Sequence, residues 1–220
     1  MTHRNNPGMT RKTITILAAG DFPRREGVLR LLDEADMIIC CDSAAAALVA
    51  SGREPALIVG DLDSLSEELR EMFASRLRIV TDQETNDLTK AVHVALEYSP
   101  RQIHILGATG RREDHTLGNI SLLMEYQRMA DCEIDIISDY GVFLAARGPR
   151  TFAAVPGQEI SIFAFDSRLR LTATGLEYPL DGVVFDSLWK ATLNRAAGRE
   201  FIITPSGNAP YLVYLCNPGL

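Results

Sequence analysis

Residues 56–64 read ALIVGDLDS, and this stretch shows the unit from which the fold is built. An apolar run, 56–59, has the composition of a buried strand, and a glycine and two carboxylates, Asp61 and Asp63, follow it directly. Two carboxylates so close repel each other, and a shared hard cation such as Mg²⁺ removes that repulsion. The alternative is a solvated loop in which Asp63 or Ser64 caps the next helix.

The same unit repeats outward from this stretch. Short apolar runs alternate with segments whose apolar residues recur three and four positions apart, a pattern typical of βαβ units. We therefore expect an α/β domain over 11–140, with a Rossmann-like, mostly parallel sheet and helices on both faces. The predicted strands are 14–18, 37–41, 57–59, 78–80, 103–106 and 134–137, and the predicted helices are 26–34, 44–50, 66–75, 85–97 and 115–129.

After Tyr140 the apolar period shortens to that of strands, with glycine and proline turns between them. We expect an all-β sandwich domain over 141–220, and we place the boundary near 139–149. Its predicted strands are 142–146, 160–165, 169–174, 201–204 and 211–215.

Composition restricts the function. The chain has 220 residues and a net charge of −7, which argues against a nucleic-acid partner, since that partner requires clustered Lys and Arg. No apolar run reaches the roughly 20 residues of a membrane span, so we expect no membrane partner. Its four cysteines form no CxxC pair, and two adjoin in the apolar run MIICC. Buried thiols in a reducing cytoplasm are the better interpretation.

Nearly every predicted parallel strand ends in an acid or a glycine. In an open parallel sheet these ends meet at one edge, where ligands bind. Together these acids and glycines favour a metal-and-phosphate site. The residues concerned are Gly20 and Asp21, Asp42 and Ser43, the GDLDS segment 60–64, the TDQETND segment 81–87 and the GATGRREDH segment 107–115.

The segment 81–92, TDQETNDLTKAV, predicts a helix that Thr85 caps. Asp87 then lies in the first turn, where the helix dipole favours a carboxylate, and Lys90 shares its face. One interpretation is a surface ion pair worth a few tenths of a kcal/mol. We favour the other, a metal ligand beside a phosphate-binding lysine, because this helix starts at the edge that carries Asp61 and Asp63.

The segment 107–115 offers glycines for close approach to a phosphate and Arg111 and Arg112 as charge-assisted donors. Asp114 and His115 then open a helix, and His115 is more often a neighbour of a helix cap than a catalyst. The spacing matches neither GxGxxG nor GxxxxGK[ST], so neither a dinucleotide fingerprint nor a P-loop is supported.

These motifs, in this order, resemble the thiamine pyrophosphokinase (thiamine diphosphokinase) family. CDSAAAAL is similar to the family's ADGGAN-like segment, and GDLDS follows it. QETNDLTKA resembles QxxTDxxKA, and GATGRREDHTLGN resembles GxxGGRxDHxxxN. The resemblance implies an enzyme that transfers pyrophosphate from ATP to thiamine, and a homodimer with thiamine at or near the subunit interface.

The resemblance also assigns roles by position. It implies an acidic cluster around Mg²⁺ and the ATP phosphates, formed by Asp42, Asp61, Asp63 and Asp87, with Asp61, Asp63 and Asp87 as metal ligands. Lys90 joins these as a catalytic residue and, with Gln83, Arg112 and Asp114, matches the family's polar nucleotide-site residues. We also take His115, next to Asp114, as a candidate for the nucleotide site. In the second half, Tyr178 of GLEYPLDG and Asn194 of LWKATLNRAAG match the thiamine-binding segments.

The chain departs from the family pattern at several positions. The two glycines of ADGGAN are Ser43 and Ala44, the second glycine of GGR is Arg111, and the serine of the SN motif is Leu193. Leu193 cannot donate a hydrogen bond to thiamine. Two rival functions therefore stay open: a metal-dependent phosphohydrolase, and a non-catalytic regulator that binds nucleotide or thiamine.

Overall fold

The structure is a computed structural model that describes residues 12–216, so the predicted domain limits at 11 and 220 lie outside the described residues. The helices are α1 (Glu26–Asp33), α2 (Ala44–Ala50), α3 (Glu67–Met72), α4 (Asp87–Glu97) and α5 (Glu113–Met129), with a 3₁₀ turn at Ala74–Arg76. The strands are β1 (Thr13–Leu17), β2 (Met37–Cys41), β3 (Leu57–Gly60), β4 (Leu77–Ile79), β5 (Gln102–Leu106), β6 (Glu133–Ser138), β7 (Gly141–Ala146), β8 (Arg150–Ala153), β9 (Glu159–Ala164), β10 (Leu171–Thr174), β11 (Ala191–Arg195), β12 (Glu200–Pro205) and β13 (Tyr211–Cys216).

One ten-stranded sheet runs through both halves of the chain, in the order β11-β9-β13-β7-β6-β5-β1-β2-β3-β4. The six strands from β6 to β4 are parallel, as their apolar runs predict. The antiparallel part begins at the β6–β7 pair, where Ser138 faces Gly141. The fold class predicted from the sequence, a parallel α/β sheet followed by antiparallel β structure, is confirmed.

Helices cover both faces of the parallel strands, since alternate residues enter different cores. Ile16 and Cys41 pack with residues of α4 and α5. Their neighbours Leu17 and Cys40 pack with residues of α1 and α2 on the opposite face. This arrangement buries both faces, so each strand is a continuous apolar run.

A second sheet, in the order β10-β12-β8, packs against the antiparallel strands of the large sheet. Phe152 and Phe201 stack in the core between the two sheets, with ring centroids 5.1 Å apart. The antiparallel half is therefore a sandwich in which the large sheet supplies one layer. Where a domain boundary falls along this continuous sheet stays a prediction.

Two strands, β8 and β11, have no counterpart among the predicted elements. β11 is interrupted by a bulge between Ala191 and Asn194, which breaks the period of two. The predicted cap of α4 is also wrong: Asn86, not Thr85, accepts the backbone N–H of Thr89. Among residues 12–216, no helix combines the length and apolar character that a bilayer crossing requires.

Candidate active site

Asp42 and Asp87 both lie beside Gly60 at the carboxyl edge of the parallel strands. A Cβ placed on Gly60 would lie 3.1 Å from the Cβ of Asp42 and 3.5 Å from Oδ1 of Asp87. The absence of a side chain at the end of β3 therefore lets Asp42 pack closely against Gly60, with the carboxylate of Asp87 next to it. The structure thus brings together three segments that the sequence predicts to converge.

The carboxylate of Asp42 is the most unusual group of this edge. Its residue is 5% exposed, Oδ2 accepts the backbone N–H of Ser64 at 3.2 Å, and Oδ1 is buried and has no hydrogen-bond partner among residues 12–216. Burial raises the pKa of Asp42, the charges of Asp87 and Asp61 raise it further, and the Ser64 contact lowers it. A buried carboxylate oxygen in this state is satisfied by a proton or a cation.

The segment after β3 anchors Asp61 and Asp63 through the leucine between them. Leu62 is 2% exposed and packs in the α1–α2 core, while Asp63 points to solvent. Oδ1 of Asp61 accepts the backbone N–H of Asp63 at 3.1 Å, which closes a tight turn. The apolar anchor holds the two acids at the surface of the sheet edge.

Left-handed backbone is concentrated at this edge. Asp42, Leu62 and Arg111 have φ values of 33°, 68° and 59°, although none of them is glycine. Such conformations cost about 1–3 kcal/mol each and persist where the surrounding structure enforces them, often at functional sites. All three lie in loops that follow parallel strands, which is an independent reason to place a site here.

Lys90 lies almost wholly inside the protein, with 4% of its side chain exposed, and its Nζ is 3.0 Å from Oδ1 of Asp87. The pair of Lys90 and Asp87 is therefore not a surface ion pair, because the lysine is buried. Burying an ammonium group is costly unless nearby anions compensate it. Asp87 is one such anion, and its side chain is partly exposed at the edge of the sheet.

A cavity of about 290 Å³ opens between the loops that follow β1 and β5. The strand order reverses at this point, because β2 to β4 lie on one side of β1 and β5 and β6 on the other. Ligands of open α/β sheets bind at such switch points. Its lining residues are Ala19, Gly20, Ala108, Gly110, Arg111, Arg112, His115 and Asn119.

Close backbone packing shapes this cavity. Gly20 donates its N–H to the carbonyl oxygen of Gly107 at 2.7 Å, and Asp21 donates to that of Thr109 at 2.9 Å. A Cβ on Gly20 would overlap the same two carbonyl groups, so this loop pair requires glycine. The cavity floor is therefore mostly backbone, which suits close approach by a phosphate or a nucleotide.

The predicted nucleotide residues are at the rim. Arg112 and Asp114 form an exposed pair with contacts of 3.0 Å and 2.5 Å, and Asp114 also accepts the backbone N–H of His115. The Arg112 guanidinium and that N–H lower the pKa of Asp114 to about 2. Gln83 is exposed in the loop after β4, outside the cavity lining.

A hydrogen-bond network that the sequence reasoning missed joins the two parts of the site. Asn86 donates to Asn119, whose amide donates to the carbonyl of Ala108 at 2.8 Å. Oδ1 of Asn86 also accepts the hydroxyl of Thr89, which contacts the hydroxyl of Tyr126 at 2.8 Å. Asn119 could have been found, since it is the asparagine of the DHxxxN pattern. Asn86 stands where the family pattern has threonine.

The predicted acceptor residues lie far along the sheet, on and beside β11. Asn194 is buried, and its side chain binds the backbone of Tyr178 twice, accepting the N–H at 3.1 Å and donating to the carbonyl at 2.7 Å. Leu193 has a φ of 58° and is 69% exposed. Asn194 therefore holds the Tyr178 segment in place, and whether it also contacts a ligand stays a prediction.

The chemistry of the acidic side chains fits Mg²⁺, which prefers carboxylate oxygens, and the unpartnered Oδ1 of Asp42 fits a nearby cation. In the described part of the chain, no three His, Cys, Asp or Glu side chains are arranged as a ready-made metal-binding group. Assignment of Asp61, Asp63 and Asp87 as ligands therefore stays a prediction. Mg²⁺ commonly completes its coordination with water and substrate phosphates.

Comparisons with known proteins agree for both halves of the chain. Residues 28–136 match the sequence profile of the thiamin pyrophosphokinase catalytic domain, and residues 141–214 match that of the thiamin pyrophosphokinase substrate-binding domain. Thiamine pyrophosphokinase from Bacillus subtilis is 32% identical over 178 residues, which cover 77% of this chain and 82% of that protein. Thiamine pyrophosphokinase 1 from Oryza sativa is 30% identical over 147 residues, or 58% and 53% of the two chains.

Solved structures show the same fold. The crystal structure of thiamine pyrophosphokinase from Bacillus subtilis superposes with a TM-score of 0.76 and 24% identity, covering 93% of this chain and 99% of that one. Thiamin pyrophosphokinase from Candida albicans gives a TM-score of 0.77 at 17% identity, covering 94% and 89%. Both the parallel and the antiparallel halves are therefore shared with these proteins.

Proposed function

Because the chain belongs to the thiamine pyrophosphokinase family, we propose that it transfers pyrophosphate from ATP to the hydroxyl of thiamine. The hydroxyl oxygen attacks the β-phosphorus, the bond from that phosphorus to the α–β bridging oxygen breaks, and AMP leaves. The products are thiamine diphosphate and AMP. Such a transfer requires alignment and charge neutralisation rather than a covalent enzyme intermediate.

The observation that carries this proposal is the buried, unpartnered Oδ1 of Asp42 beside the carboxylates of Asp61 and Asp87. Three acids converging at a strand edge are costly in isolation. They become favourable when a cation and a polyphosphate occupy the same space. The cavity at the switch point, next to this edge, offers room for the rest of the nucleotide.

Each residue has a role in this proposal. Asp61, Asp63 and Asp87 hold Mg²⁺, which supplies positive charge for the phosphate oxygens. Lys90 offsets the charge of the transferring group from inside the site. Arg112, at the cavity rim, exchanges its contact with Asp114 for a phosphate oxygen. His115 contacts the nucleotide from the lining of the cavity, and Gln83 contacts it from the loop after β4.

A carboxylate orients the attacking hydroxyl and accepts its proton. The candidates are Asp42 and Asp87, and Asp42 is favoured because Oδ1 has no partner, whereas Oδ1 of Asp87 already binds Lys90. Burial raises the pKa of Asp42 above its ordinary value, which makes this carboxylate a better proton acceptor.

The predicted thiamine-binding residues Tyr178 and Asn194, here called the acceptor half of the site, support a homodimer. Asn194 and Tyr178 belong to the β11 edge of the large sheet, and six strand positions separate β11 from β1. That separation is roughly 30 Å along the sheet, while reacting atoms must come within about 3–3.5 Å of each other. We therefore propose that thiamine bound beside Tyr178 reacts with ATP held by the partner subunit.

Exposed apolar side chains near β11 are consistent with such an interface. Tyr178, Leu188, Trp189 and Leu193 are all exposed, and Trp189 reaches 68%. Clustered exposed apolar surface marks contact sites. Phe185, four residues before Trp189, is buried in the core between the two sheets and does not belong to this exposed surface.

One assay separates this function from its rivals. Purified protein with ATP, MgCl₂ and thiamine should release AMP and thiamine diphosphate in equal amounts. Release of phosphate or pyrophosphate without thiamine would support a phosphohydrolase. Binding of ATP or thiamine without turnover would support a regulator. We also propose a cytoplasmic location, which the buried thiols of Cys40, Cys41 and Cys132 support because they suit a reducing compartment.

A further inference from the structure

Arg70, an exposed residue of α3, contacts the backbone of the turn that carries the aspartates. Its Nε donates to the carbonyl oxygen of Leu65 at 3.1 Å, and its Nη2 donates to the carbonyl oxygen of Leu62. One planar guanidinium thus spans both ends of the turn formed by residues 62–65. The fork of donors on arginine is suited to two acceptors at fixed spacing, which a lysine ammonium cannot reproduce.

The turn held in this way is strained. Leu62 has a φ of 68°, a conformation that a bulky residue rarely adopts. Its carbonyl also accepts the N–H of Leu65 at 3.1 Å, so the turn closes on itself and on Arg70. Contacts to a charged donor are stronger than neutral hydrogen bonds, and they offset part of the cost of this backbone conformation.

Three groups of the site depend on this turn. Asp61 and Asp63 lie on either side of Leu62, and the N–H of Ser64 donates to Oδ2 of Asp42 at 3.2 Å. A turn that relaxes toward an ordinary φ would rotate the two carboxylates apart and withdraw the Ser64 donor. The positions of the two carboxylates and of the Ser64 N–H therefore depend on where the carbonyl groups of Leu62 and Leu65 are held.

We infer that Arg70 is a positioning residue, which sets the spacing of Asp61 and Asp63 for a divalent cation by fixing the carbonyls of Leu62 and Leu65. The inference rests on the proposed function, because it concerns the same metal site. Arg70 makes no contact with substrate in this account. It acts through the turn alone, so its effect should appear in metal binding before nucleotide or thiamine is added.

A matched control lies in the same segment. Arg76, in the 3₁₀ turn after α3, also donates to a backbone carbonyl, that of Pro55 at 2.8 Å, and pairs with Glu54. It does not touch the 62–65 turn among the contacts of the described residues. Arg70→Gln and Arg76→Gln therefore remove the same charge and a carbonyl contact from neighbouring positions, and only the first affects the aspartates.

The test uses the full-length protein and three readouts. Without metal, hydrogen exchange of the segment 61–66 should be at least about fivefold faster in Arg70→Gln and unchanged in Arg76→Gln, because a lost hydrogen bond exposes the turn to local opening. Mn²⁺ binding, followed by electron paramagnetic resonance without nucleotide, should weaken by about tenfold in Arg70→Gln. The Mg²⁺ concentration for half-maximal turnover should rise in parallel, with the KM for thiamine unchanged.

The conservative variant Arg70→Lys should be intermediate in all three readouts, because an ammonium can bind one carbonyl but not both. Wild-type Mn²⁺ affinity in Arg70→Gln, with its fold intact, would overturn this inference alone. An unfolded Arg70→Gln shifts the decision to Arg70→Lys, whose wild-type Mn²⁺ affinity would have the same meaning. Wild-type protein that binds Mn²⁺ only in the presence of ATP would overturn the inference and leave the metal site standing, and wild-type protein that binds no Mn²⁺ with or without ATP would overturn both.

Discussion

The Nζ of Lys90 lies 3.0 Å from Oδ1 of Asp87, inside the first turns of α4. A cation at the amino end of a helix opposes the helix dipole, and its burial adds a desolvation cost. Lys90 therefore carries both an unfavourable interaction with the helix dipole and a desolvation cost. Such a perturbed environment is typical of functional residues, and bound phosphate would supply the missing negative charge.

Replacing Lys90 by methionine should therefore separate its two roles. Lys90→Met keeps the side-chain volume and the helix propensity, so the melting temperature should hold or rise once the buried charge is gone. Turnover should fall by at least about 100-fold, as it does when other charge-stabilising groups are removed. Steady-state kinetics and thermal melting measure the two effects.

The control for this variant is Arg53→Met, which removes the cation of a pair with Asp33 at the surface. It should leave turnover unchanged, since such pairs contribute little. A loss of less than about threefold in Lys90→Met would reduce Lys90 to a structural partner of Asp87.

Asp61→Asn and Asp63→Asn should each abolish most turnover without unfolding the protein. The amide oxygen in Asp61→Asn can still accept the N–H of Asp63, so the turn remains. Loss of one charge relieves repulsion among the acids, and the metal-free melting temperature should hold or rise. Mg²⁺ titration calorimetry with an ATP analogue, together with turnover at limiting Mg²⁺, measures the effect.

Asp131→Asn is the matched control, because Asp131 is an exposed acid in the connection between α5 and β6. It makes the same change of charge away from the site and should behave as wild type. Near wild-type turnover in either Asp61→Asn or Asp63→Asn at limiting Mg²⁺ would mean that these acids do not hold the metal.

The parallel half of the fold could be predicted from the sequence because burial on both faces makes each strand a continuous apolar run. All six strands and five helices were found, with ends that differ by a few residues. β8 and β11 escaped prediction for local reasons. β8 has four residues, and the bulge at Leu193 shifts the side-chain alternation of β11.

The site was predictable in part. Strand ends and motif order brought Asp42, Asp61 and Asp87 together correctly, since parallel strands share one carboxyl edge. Sequence could not show that Lys90 is buried, that Oδ1 of Asp42 lacks a partner among the described residues, or that β11 is the antiparallel edge strand of the same ten-stranded sheet as the parallel strands. These features depend on packing between distant segments, and a residue type alone does not report them.

The acceptor half allows a test that leaves the phosphate half, the acids and Lys90 at the carboxyl edge of the parallel strands, untouched. Asn194→Ala removes both contacts to the Tyr178 backbone, so the KM for thiamine should rise strongly, with a smaller effect on the KM for ATP. Leu193→Ser should be tolerated and should lower the KM for thiamine by up to about tenfold, since a hydroxyl can pair a polar atom whose loss of a partner costs about 1–3 kcal/mol.

Kinetics with each substrate varied in turn measures this split. Equal effects of Asn194→Ala on both KM values would contradict a separate acceptor site in this segment. A higher KM for thiamine in Leu193→Ser would show that the leucine contributes apolar contact rather than leaving a polar atom unpaired.

The buried pair of Asp135 and His104 predicts a specific pH dependence. Oδ1 of Asp135 lies 2.8 Å from Nδ1 of His104, and Gln102 donates to Oδ2. Burial raises the pKa of Asp135 above 3.8, although the contact with His104 opposes this. The folded protein then holds a proton that the unfolded chain has lost, so this group's stabilisation is full below 3.8 and is lost as the pH rises through the folded pKa.

Asp135→Asn cannot titrate and keeps an acceptor for His104. Its melting temperature relative to wild type should increase as the pH rises from about 4 to 7. Asp33→Asn is the opposite control, because Arg53 lowers the pKa of Asp33, so the melting temperature of that variant relative to wild type should fall as the pH rises toward 3.8 and stay level above about pH 5. Thermal melting from below pH 3.8 to about pH 7 measures both variants, and a flat difference for Asp135→Asn would contradict the raised pKa.

A mixture of two impaired variants, assayed at a thiamine concentration well below the raised KM of Asn194→Ala, tests whether the active site is shared between subunits. Asp61→Asn impairs the phosphate half and Asn194→Ala the acceptor half, and in one chain these halves are roughly 30 Å apart. If thiamine on one subunit reacts with ATP on the other, a mixed dimer has one site with both halves intact and one with neither. Random mixing should then restore roughly a quarter of wild-type turnover, since half of the dimers are mixed.

Sedimentation velocity at micromolar concentration should show the homodimer for wild type and for both variants. Trp189→Asp, which places a charge in the exposed apolar surface near β11, should shift the protein to monomer and abolish turnover. Mixing should fail to restore turnover when either partner also carries Trp189→Asp. A fully active monomer would rule out a shared site. Lack of recovery in mixed dimers whose formation is verified would rule it out as well. Either result would mean that the acceptor half and the phosphate half of one chain act together.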